Sequence, residues 1–248
     1  MNILTHHFSK LATLESFDHN AFKPDNHVSK DICGFILSLS LIHNDLKNTF
    51  MFMDVIDDSK PDGEYEVRKD WGEHRALRDF IDRVTLGILH ELFNLIEKNK
   101  GVLENKFFEG VIKSISKESK EFWKALVDTS FQNYNDNKLA KDLKKIRNNV
   151  SFHYGPKAIF QGYENFFEKI KKLDLAYISR GYKMIETRFY FADAAAQGCM
   201  HHLLGQEDID YFFEWAEEIL LKLNHTIFLI INSFINKRGY AFKEVKIT

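Results

Sequence analysis

The stretch "KDICGFILSLSLIHNDLKNTFMFMDV", Lys30 to Val55, decides the fold. Its apolar residues recur at three- and four-residue spacing, which is the period of one face of an α-helix, and no proline interrupts them. The acidic, turn-rich segment "DDSKPDGEYE" begins at Asp57 and ends the pattern. The sequence therefore predicts a long helix followed by a loop.

The composition of the chain extends this prediction to the whole protein. Phenylalanine occurs 23 times in 248 residues, whereas there are only 3 prolines and 12 glycines, which disfavours a turn-rich β protein. No internal repeat, low-complexity run or Pro/Ser/Gly-rich linker divides the chain. We therefore expect an all-α fold over residues 1–248, a single multi-helix domain built as an antiparallel helical bundle with additional helices.

Two more helical regions follow the first. Residues 67–99 have helical spacing, and Gly101 fits a cap just past the end of that helix. A third region runs from Leu103 to Val127, and the polar "QNYNDN" of residues 132–137 predicts a loop after it.

The second half of the chain contains further helical patterns. A basic helix precedes Gly155-Pro156, and "YENFFEKIKKLDLAYI", Tyr163 to Ile178, follows with helical spacing. A last helix is predicted over residues 207–236. Residues 181–191 fit a strand as well as a helix, and residues 1–28 show no clear pattern.

Charge and cysteine content limit the possible classes of protein. The formal net charge is −2, so any nucleic-acid surface must be local. Cys33 and Cys199 lie far apart without CxxC spacing, and no signal-peptide pattern begins the chain, which predicts a cytoplasmic protein. The run "IFLIINSFI", Ile227 to Ile235, is too short to span a bilayer, so we expect a buried helix and no membrane partner.

The segment "KDLKKIRNNVSFHYGPK", Lys141 to Lys157, is the most informative for function. On a straight helix, Arg147 lies about 80° to one side of its apolar stripe and His153 about 40° to the other side. The two side chains are then about 120° apart. They converge on one ligand only if the helix kinks or ends near Asn148 and Asn149, or if they border a cleft between two subunits.

"RNNVSFHY" resembles the motif of HEPN domains, small helical proteins of toxin–antitoxin, abortive-infection and RNA-processing systems. Their motif has an arginine, often followed by asparagine, a few residues before a histidine. Here these positions are Arg147, Asn148 and His153, with Tyr154 in a supporting position, although many members carry a tyrosine one residue later. The resemblance implies a helical core over roughly residues 30–180, an RNA-cleaving activity and a homodimer.

The chemistry of such a site is consistent with metal-independent RNA cleavage. His153 is the candidate acid or base, because imidazole titrates near neutrality. The Arg147 guanidinium would stabilise charge on the phosphate, and Asn148 would orient the phosphate or the histidine. The same spacing occurs by chance elsewhere in the chain, but here an asparagine follows the arginine and basic residues precede it. These RNA-binding candidates are Lys141, Lys144 and Lys145.

A structural alternative remains for each of these residues. His153 fits a partly buried histidine near the core, and Arg147 fits a solvated helix residue. Asn44 and Asp45 interrupt the apolar first helix and fit either a supporting role in the site or a solvent-facing polar stripe.

No metal or cofactor site is predicted. His201 and His202 lie near Cys199 and Asp193, but no metal-binding motif accompanies them. The glycine-rich phosphate loops of nucleotide-binding enzymes are also missing from the sequence. Neither a metal ion nor another cofactor is expected.

The leading hypothesis is a homodimeric, metal-independent endoribonuclease of toxin or phage-defence type, restrained by an antitoxin protein. The first alternative is a non-catalytic helical protein that binds RNA, a nucleotide or a protein partner. A structural helical scaffold is a third possibility.

Overall fold

The computed structural model confirms the all-α prediction. Within the residues that it describes, eight α-helices account for most of the chain, and two short strands form one ribbon. The described residues are 14–63, 69–131, 148–149, 155–171, 175–180, 183, 187–205 and 209–245. The helices are α1 (Lys30–Asp58), α2 (Lys69–Lys98), α3 (Lys100–Leu103), α4 (Lys106–Ser114), α5 (Lys117–Phe131), α6 (Pro156–Glu164), α7 (Tyr190–Leu204) and α8 (Ile209–Lys237).

Side-chain caps fix where several helices begin. Ser29 precedes α1, and its hydroxyl accepts the N–H of Ile32 at 3.3 Å. Asn105 precedes α4 and accepts the N–H of Phe107 at 2.8 Å. Ser116 caps α5 in the same way, through the N–H of Ser119 at 3.2 Å. These caps satisfy amides that have no partner inside the helix.

Two predictions about the first half of the chain were wrong in detail. The helical region predicted from Leu103 to Val127 is two main helices, because the chain leaves α4 at Ile115 and starts again after Ser116. Gly101 does not cap α2. It lies inside the short helix α3, which follows α2 after the single residue Asn99.

The second half also differs from the sequence prediction. Gly155-Pro156 begins a helix, since Pro156 occupies the first helical position, where its missing N–H costs nothing. The helix expected to reach Ile178 ends at Ile170, after a π-helical turn over Asn165–Ile170. Helix α7 was not predicted, and its start resolves part of the ambiguous segment 181–191.

The chain forms two compact units. The first comprises Met1–Asn48, Glu91–Gln132 and Glu217–Thr248, and the second comprises Thr49–His90 and Asn133–Ala216. The described residues of the long helices α1, α2 and α8 therefore contribute to both units. A single domain over residues 1–248 stays a prediction.

Aromatic side chains form the core of the first unit. Phe35 of α1 packs edge-to-face on Phe108 of α4, with ring centroids 5.5 Å apart, and both rings contact Trp123 of α5. Trp123 is buried in this core. Such pairs stabilise a core beyond the area that they bury.

Helix α8 contributes a buried stripe to the same unit. Its most buried residues recur at helical spacing: Leu223, Ile227, Ile230 and Phe234. The window Ile219–Lys237 is long and apolar enough, by length and composition alone, to cross a membrane, although 44% of it is buried. The nine-residue run seen in the sequence is thus part of a longer apolar segment, and the absence of a membrane partner stays a prediction.

A Schellman motif ends α8. Gly239 has a φ of 83°, its N–H donates to the carbonyl of Asn236, and the N–H of Tyr240 donates to the carbonyl of Ile235. Beyond this turn, Lys243–Glu244 (β2) pairs antiparallel with Glu15–Ser16 (β1).

Candidate functional site

The structure describes only part of the segment that carries the HEPN-like motif. Asn148 and Asn149 are described, Asn148 being exposed and Asn149 partly buried. The other predicted site residues of this segment lie outside the described residues, and their roles stay predictions: Lys141, Lys144, Lys145, Arg147, His153 and Tyr154.

An unusual backbone hydrogen bond connects Asn149, within the HEPN-like motif, to Gly155, which follows the motif. We call Arg147 to Tyr154 the motif segment. The N–H of Gly155 donates to the carbonyl oxygen of Asn149 at 3.3 Å. These residues are six positions apart, whereas an α-helix bonds residues four positions apart. The bond is therefore longer in sequence separation than an α-helical hydrogen bond, and it joins Asn149 to the residue directly before α6.

Gly155 also lies directly beside the side chain of Asn149. A β-carbon built on Gly155 would lie 3.1 Å from Asn149 Oδ1, which is tighter than an ordinary contact. A residue without a side chain thus suits the point where the motif segment ends and α6 begins.

Helix α6 holds this end of the segment by packing closely on α7. The Ala195 carbonyl occupies the space where a β-carbon of Gly162 would lie, and the Gly162 carbonyl lies 2.1 Å from the β-carbon position of Gly198. Asn165 adds a side-chain hydrogen bond to the carbonyl of Gly198 at 3.1 Å. The backbones of α6 and α7 therefore touch directly.

An ion network fixes the start of α7 against α2. The Nε of Arg188 lies 2.9 Å from Asp193 Oδ2, and its Nη1 lies 3.1 Å from Glu73 Oε2. The hydroxyl of Tyr190 donates to the other oxygen of Glu73 at 3.1 Å. Arg188 and Asp193 are partly buried, so their charge-assisted hydrogen bond is worth more than an exposed surface pair.

Two carboxyl groups that the sequence analysis missed lie on α2. Burial raises the pKa of Asp82 to about 7 and that of Asp79 to about 6, despite nearby arginines. The guanidinium group of Arg78 lies 2.6 Å from the carboxylate of Asp57 but 3.8 Å from that of Asp82. Arg78 therefore stabilises the charged form of Asp57 more than that of Asp82. Carboxyl groups that titrate near neutrality are suited to proton transfer.

The only sequence feature that marks these carboxyl groups is the alternation of positive and negative charges in "RALRDFIDR", Arg75 to Arg83. The pattern resembles an exposed, salt-bridged helix face, and it does not reveal burial. Nothing else in the sequence distinguishes Asp79 and Asp82 from surface residues.

The polar residues of α1 belong to the first unit. Asn44 is exposed and Asp45 is partly buried, while the ring of His43 lies 6.4 Å from that of Phe228. Burial lowers the pKa of His43. The exposure of Asn44 fits the solvent-facing alternative, and a supporting role for Asn44 and Asp45 stays a prediction.

Two further arginine–histidine pairs have the spacing of the motif. One pair ends in His74, which packs edge-to-face on Trp71 with ring centroids 5.9 Å apart. The other is Arg83 with His90, and His90 is buried within α2. Both histidines are thus packed within the protein, which is the usual role of a histidine on an apolar helix face.

The histidine pair of α7 does not assemble a metal site in the described part of the chain. Cys199 is buried, which raises its pKa to about 11 and keeps it a thiol. The carboxylate of Asp193 is paired with Arg188, and His202 is exposed.

No protein-family model matches the chain, and no curated protein or solved structure is significantly similar to it.

Proposed function

We propose that the protein is a metal-independent endoribonuclease of the toxin or phage-defence type, with its active site in the segment Arg147 to Tyr154. The observation that carries the proposal is the sequence "RNNVSFHY", which resembles the HEPN motif.

In the proposed reaction, His153 exchanges a proton with the reacting 2′-hydroxyl or the leaving 5′-oxygen. Arg147 donates paired hydrogen bonds to the nonbridging phosphate oxygens and stabilises the charge that accumulates there. Asn148 is exposed, so it is accessible to orient the same phosphate. Lys141, Lys144 and Lys145 attract the RNA backbone.

The proposal includes the assembly and control that the resemblance implies. Two copies of the chain border a shared cleft, so that each subunit contributes an arginine and a histidine. An antitoxin protein restrains the nuclease in the cytoplasm until it is needed.

The test is cleavage of total cellular RNA and tRNA by the purified protein in EDTA. Arg147→Ala and His153→Ala are compared with Arg180→Ala and His202→Ala, which remove the same residue types from exposed positions elsewhere. We expect the two motif variants to lose at least about 100-fold in rate, because each removes a transition-state interaction. The two surface variants should match the wild type, and thermal melts should show that all five proteins fold.

Two results would contradict the proposal. Equal cleavage by all five proteins indicates a contaminating nuclease. Binding of RNA without cleavage by the wild type favours the non-catalytic binding protein, in which neutralising the three lysines abolishes binding and His153→Ala has no effect.

A further inference from the structure

The first unit contains an open cleft that lies outside the motif segment. Its volume is about 830 Å³, which is within the range of small-molecule sites. Three parts of the chain line it: the loop before α1 with Asp25 and His27, the first turn of α4 with Lys106 and Phe107, and the end of α8 with Lys237.

The acidic residues of this cleft are already paired. Asp25 forms an ion pair with Arg238, which is 8% exposed and also donates to the carbonyl oxygens of Ala21 and Lys23. Glu104 lies 3.6 Å from the ammonium group of Lys100. The negative charges of the lining are therefore compensated within the protein.

Two lysines of the cleft have no such compensation. Among the described residues, neither Lys106 nor Lys237 forms an ion pair, and both are exposed. With Asp25 and Glu104 neutralised, these ammonium groups leave the cleft with an excess positive charge. A ligand that carries negative charge would complement it.

The helix ends at the cleft favour the same kind of ligand. The first turn of α4, a helix of nine residues, lines the cleft, and the positive end of the helix dipole lies there. At the end of α8, the carbonyls of Ile235 and Asn236 are already bonded in the Schellman motif. The negative end of α8 is thus covered by its own chain.

An aromatic ring lies beside the lysines. The Nζ of Lys237 is 5.9 Å from the ring centroid of Phe107, and its end rests over Gly110, which has no side chain to displace it. Phe107 is only partly buried. The cleft thus combines two cations with a partly exposed aromatic ring, and nucleotides present both phosphate and a flat base.

We propose that this cleft binds a nucleotide, with its phosphate between Lys106 and Lys237 and its base against Phe107. The site contains no residue of the motif segment. It therefore goes beyond the proposed nuclease activity and holds whether or not the protein cleaves RNA.

The test is calorimetric titration of the full chain with AMP and ATP at low salt, with adenosine as the phosphate-free probe. Lys106→Gln and Lys237→Gln are compared with Lys113→Gln and Lys117→Gln, which remove lysines paired on the helix surface with Glu109 and Glu121. AMP and ATP should bind at one site per chain, and each cleft variant should weaken binding about tenfold, since each removes a charged contact to phosphate. The control variants should change affinity by about twofold at most.

Three results would overturn the proposal: no binding of AMP or ATP, equal affinity in all four variants, or adenosine binding as tightly as AMP. Lys237 packs against Phe107, so its variant is checked by thermal melting. Lys106 makes no such contact, and its variant tests the site without disturbing the fold. His153→Ala should leave nucleotide binding unchanged, which separates this site from the nuclease.

Discussion

The carbonyl oxygen of Gly162 lies 2.1 Å from the position that a β-carbon of Gly198 would occupy. Helices α6 and α7 therefore pack backbone to backbone, with no space for a side chain between them. Since the obstacle is backbone rather than a flexible side chain, the helices must separate to admit even a methyl group.

Gly198→Ala should destabilise the protein by about 3 kcal/mol, the upper end of overpacking effects. Urea unfolding followed by circular dichroism would measure the change. Gly34→Ala in α1 is the control, because no atom lies within 4 Å of its β-carbon position, and it should stabilise the protein by about 0.5–1 kcal/mol. A Gly198→Ala protein as stable as the wild type would show that α6 and α7 do not pack so closely.

Asp82 should make stability depend on pH between about 4 and 7. Its pKa is raised to about 7 in the folded protein, so the folded state holds this proton more tightly than the unfolded state. The resulting stabilisation is complete below the ordinary carboxyl pKa and is lost as the pH rises through 7. Asp82→Asn should therefore raise the free energy of unfolding at pH 8 by roughly 4 kcal/mol, since each pKa unit corresponds to about 1.4 kcal/mol, and change it little at pH 4.

The measurement for Asp82 is urea unfolding of both proteins at pH 4, 6 and 8. The difference between wild type and variant isolates this carboxyl group from every other titratable group of the protein. An unchanged difference at all three pH values would contradict the assignment.

Asp25 should make stability depend on pH in the direction opposite to Asp82, and at lower pH. Its pKa is lowered to about 2, first by the N–H of His27 and then by Arg238 and the N–H of Val28. The stabilisation is present above the ordinary carboxyl pKa and is lost as the pH falls toward 2. Asp25→Asn should therefore lose less stability than the wild type between pH 4 and pH 2, measured by circular dichroism during acid titration. Parallel curves for the two proteins would argue against the paired carboxylate.

Gly110→Ala should stabilise α4 and disturb the proposed nucleotide cleft at the same time. The new β-carbon would lie 2.6 Å from Cε and 2.8 Å from Nζ of Lys237, but the end of a lysine side chain can move away at little cost. Helix propensity then favours alanine by about 0.5–1 kcal/mol. Thermal melting should show the gain, and calorimetry should show weaker AMP binding. A loss of stability that disappears in the Lys237→Ala background would mean that Lys237 cannot move.

Asn148→Ala should reduce RNA cleavage without changing stability by more than about 0.5 kcal/mol, because the residue is exposed. Asn149→Ala is the matched comparison. Asn149 is partly buried against Gly155, so its change should lower stability. Cleavage rates and melting temperatures of the two variants would be measured together. Full activity of Asn148→Ala would remove this residue from the proposed mechanism.

Large apolar residues at helical spacing made the long helices predictable. The helix predicted from Lys30 to Val55 extends to Asp58, residues 67–99 correspond to α2, and residues 207–236 correspond to α8. In each of these helices, apolar residues continue at helical spacing over many turns, and this pattern predicts the helix even where single residues have a low helix propensity.

Helix α7 was missed for a physical reason. Its sequence, "YFADAAAQGCMHHLL", contains small residues where a helix usually presents large ones, because it packs backbone to backbone on α6. The interruption between α4 and α5 at Ile115–Ser116 depends on the hydroxyl of Ser116, which caps α5. A periodic pattern of apolar residues does not reveal such a cap. Local patterns therefore failed where close packing or one cap determined the structure.

The candidate site was less predictable than the fold. The motif residues are predicted from their order alone, and their roles stay predictions. The hydrogen bond between Asn149 and Gly155 joins backbone atoms and leaves no trace in the sequence. The raised pKa values of Asp79 and Asp82 arise from burial, which depends on neighbours far along the chain. The proposed nucleotide cleft likewise combines residues near positions 25, 106 and 237.

The pairing of β1 with β2 constrains the order of events during protein synthesis. The carbonyl of Leu14 accepts the N–H of Val245, so Leu14 pairs only after residues more than two hundred positions later have been made. The first unit cannot close while the ribosome is still producing α8, whereas most domains fold as their own sequence emerges. Because strands β1 and β2 lie side by side, a circular permutant that joins them by a short linker should fold, and it would make this closure a local step.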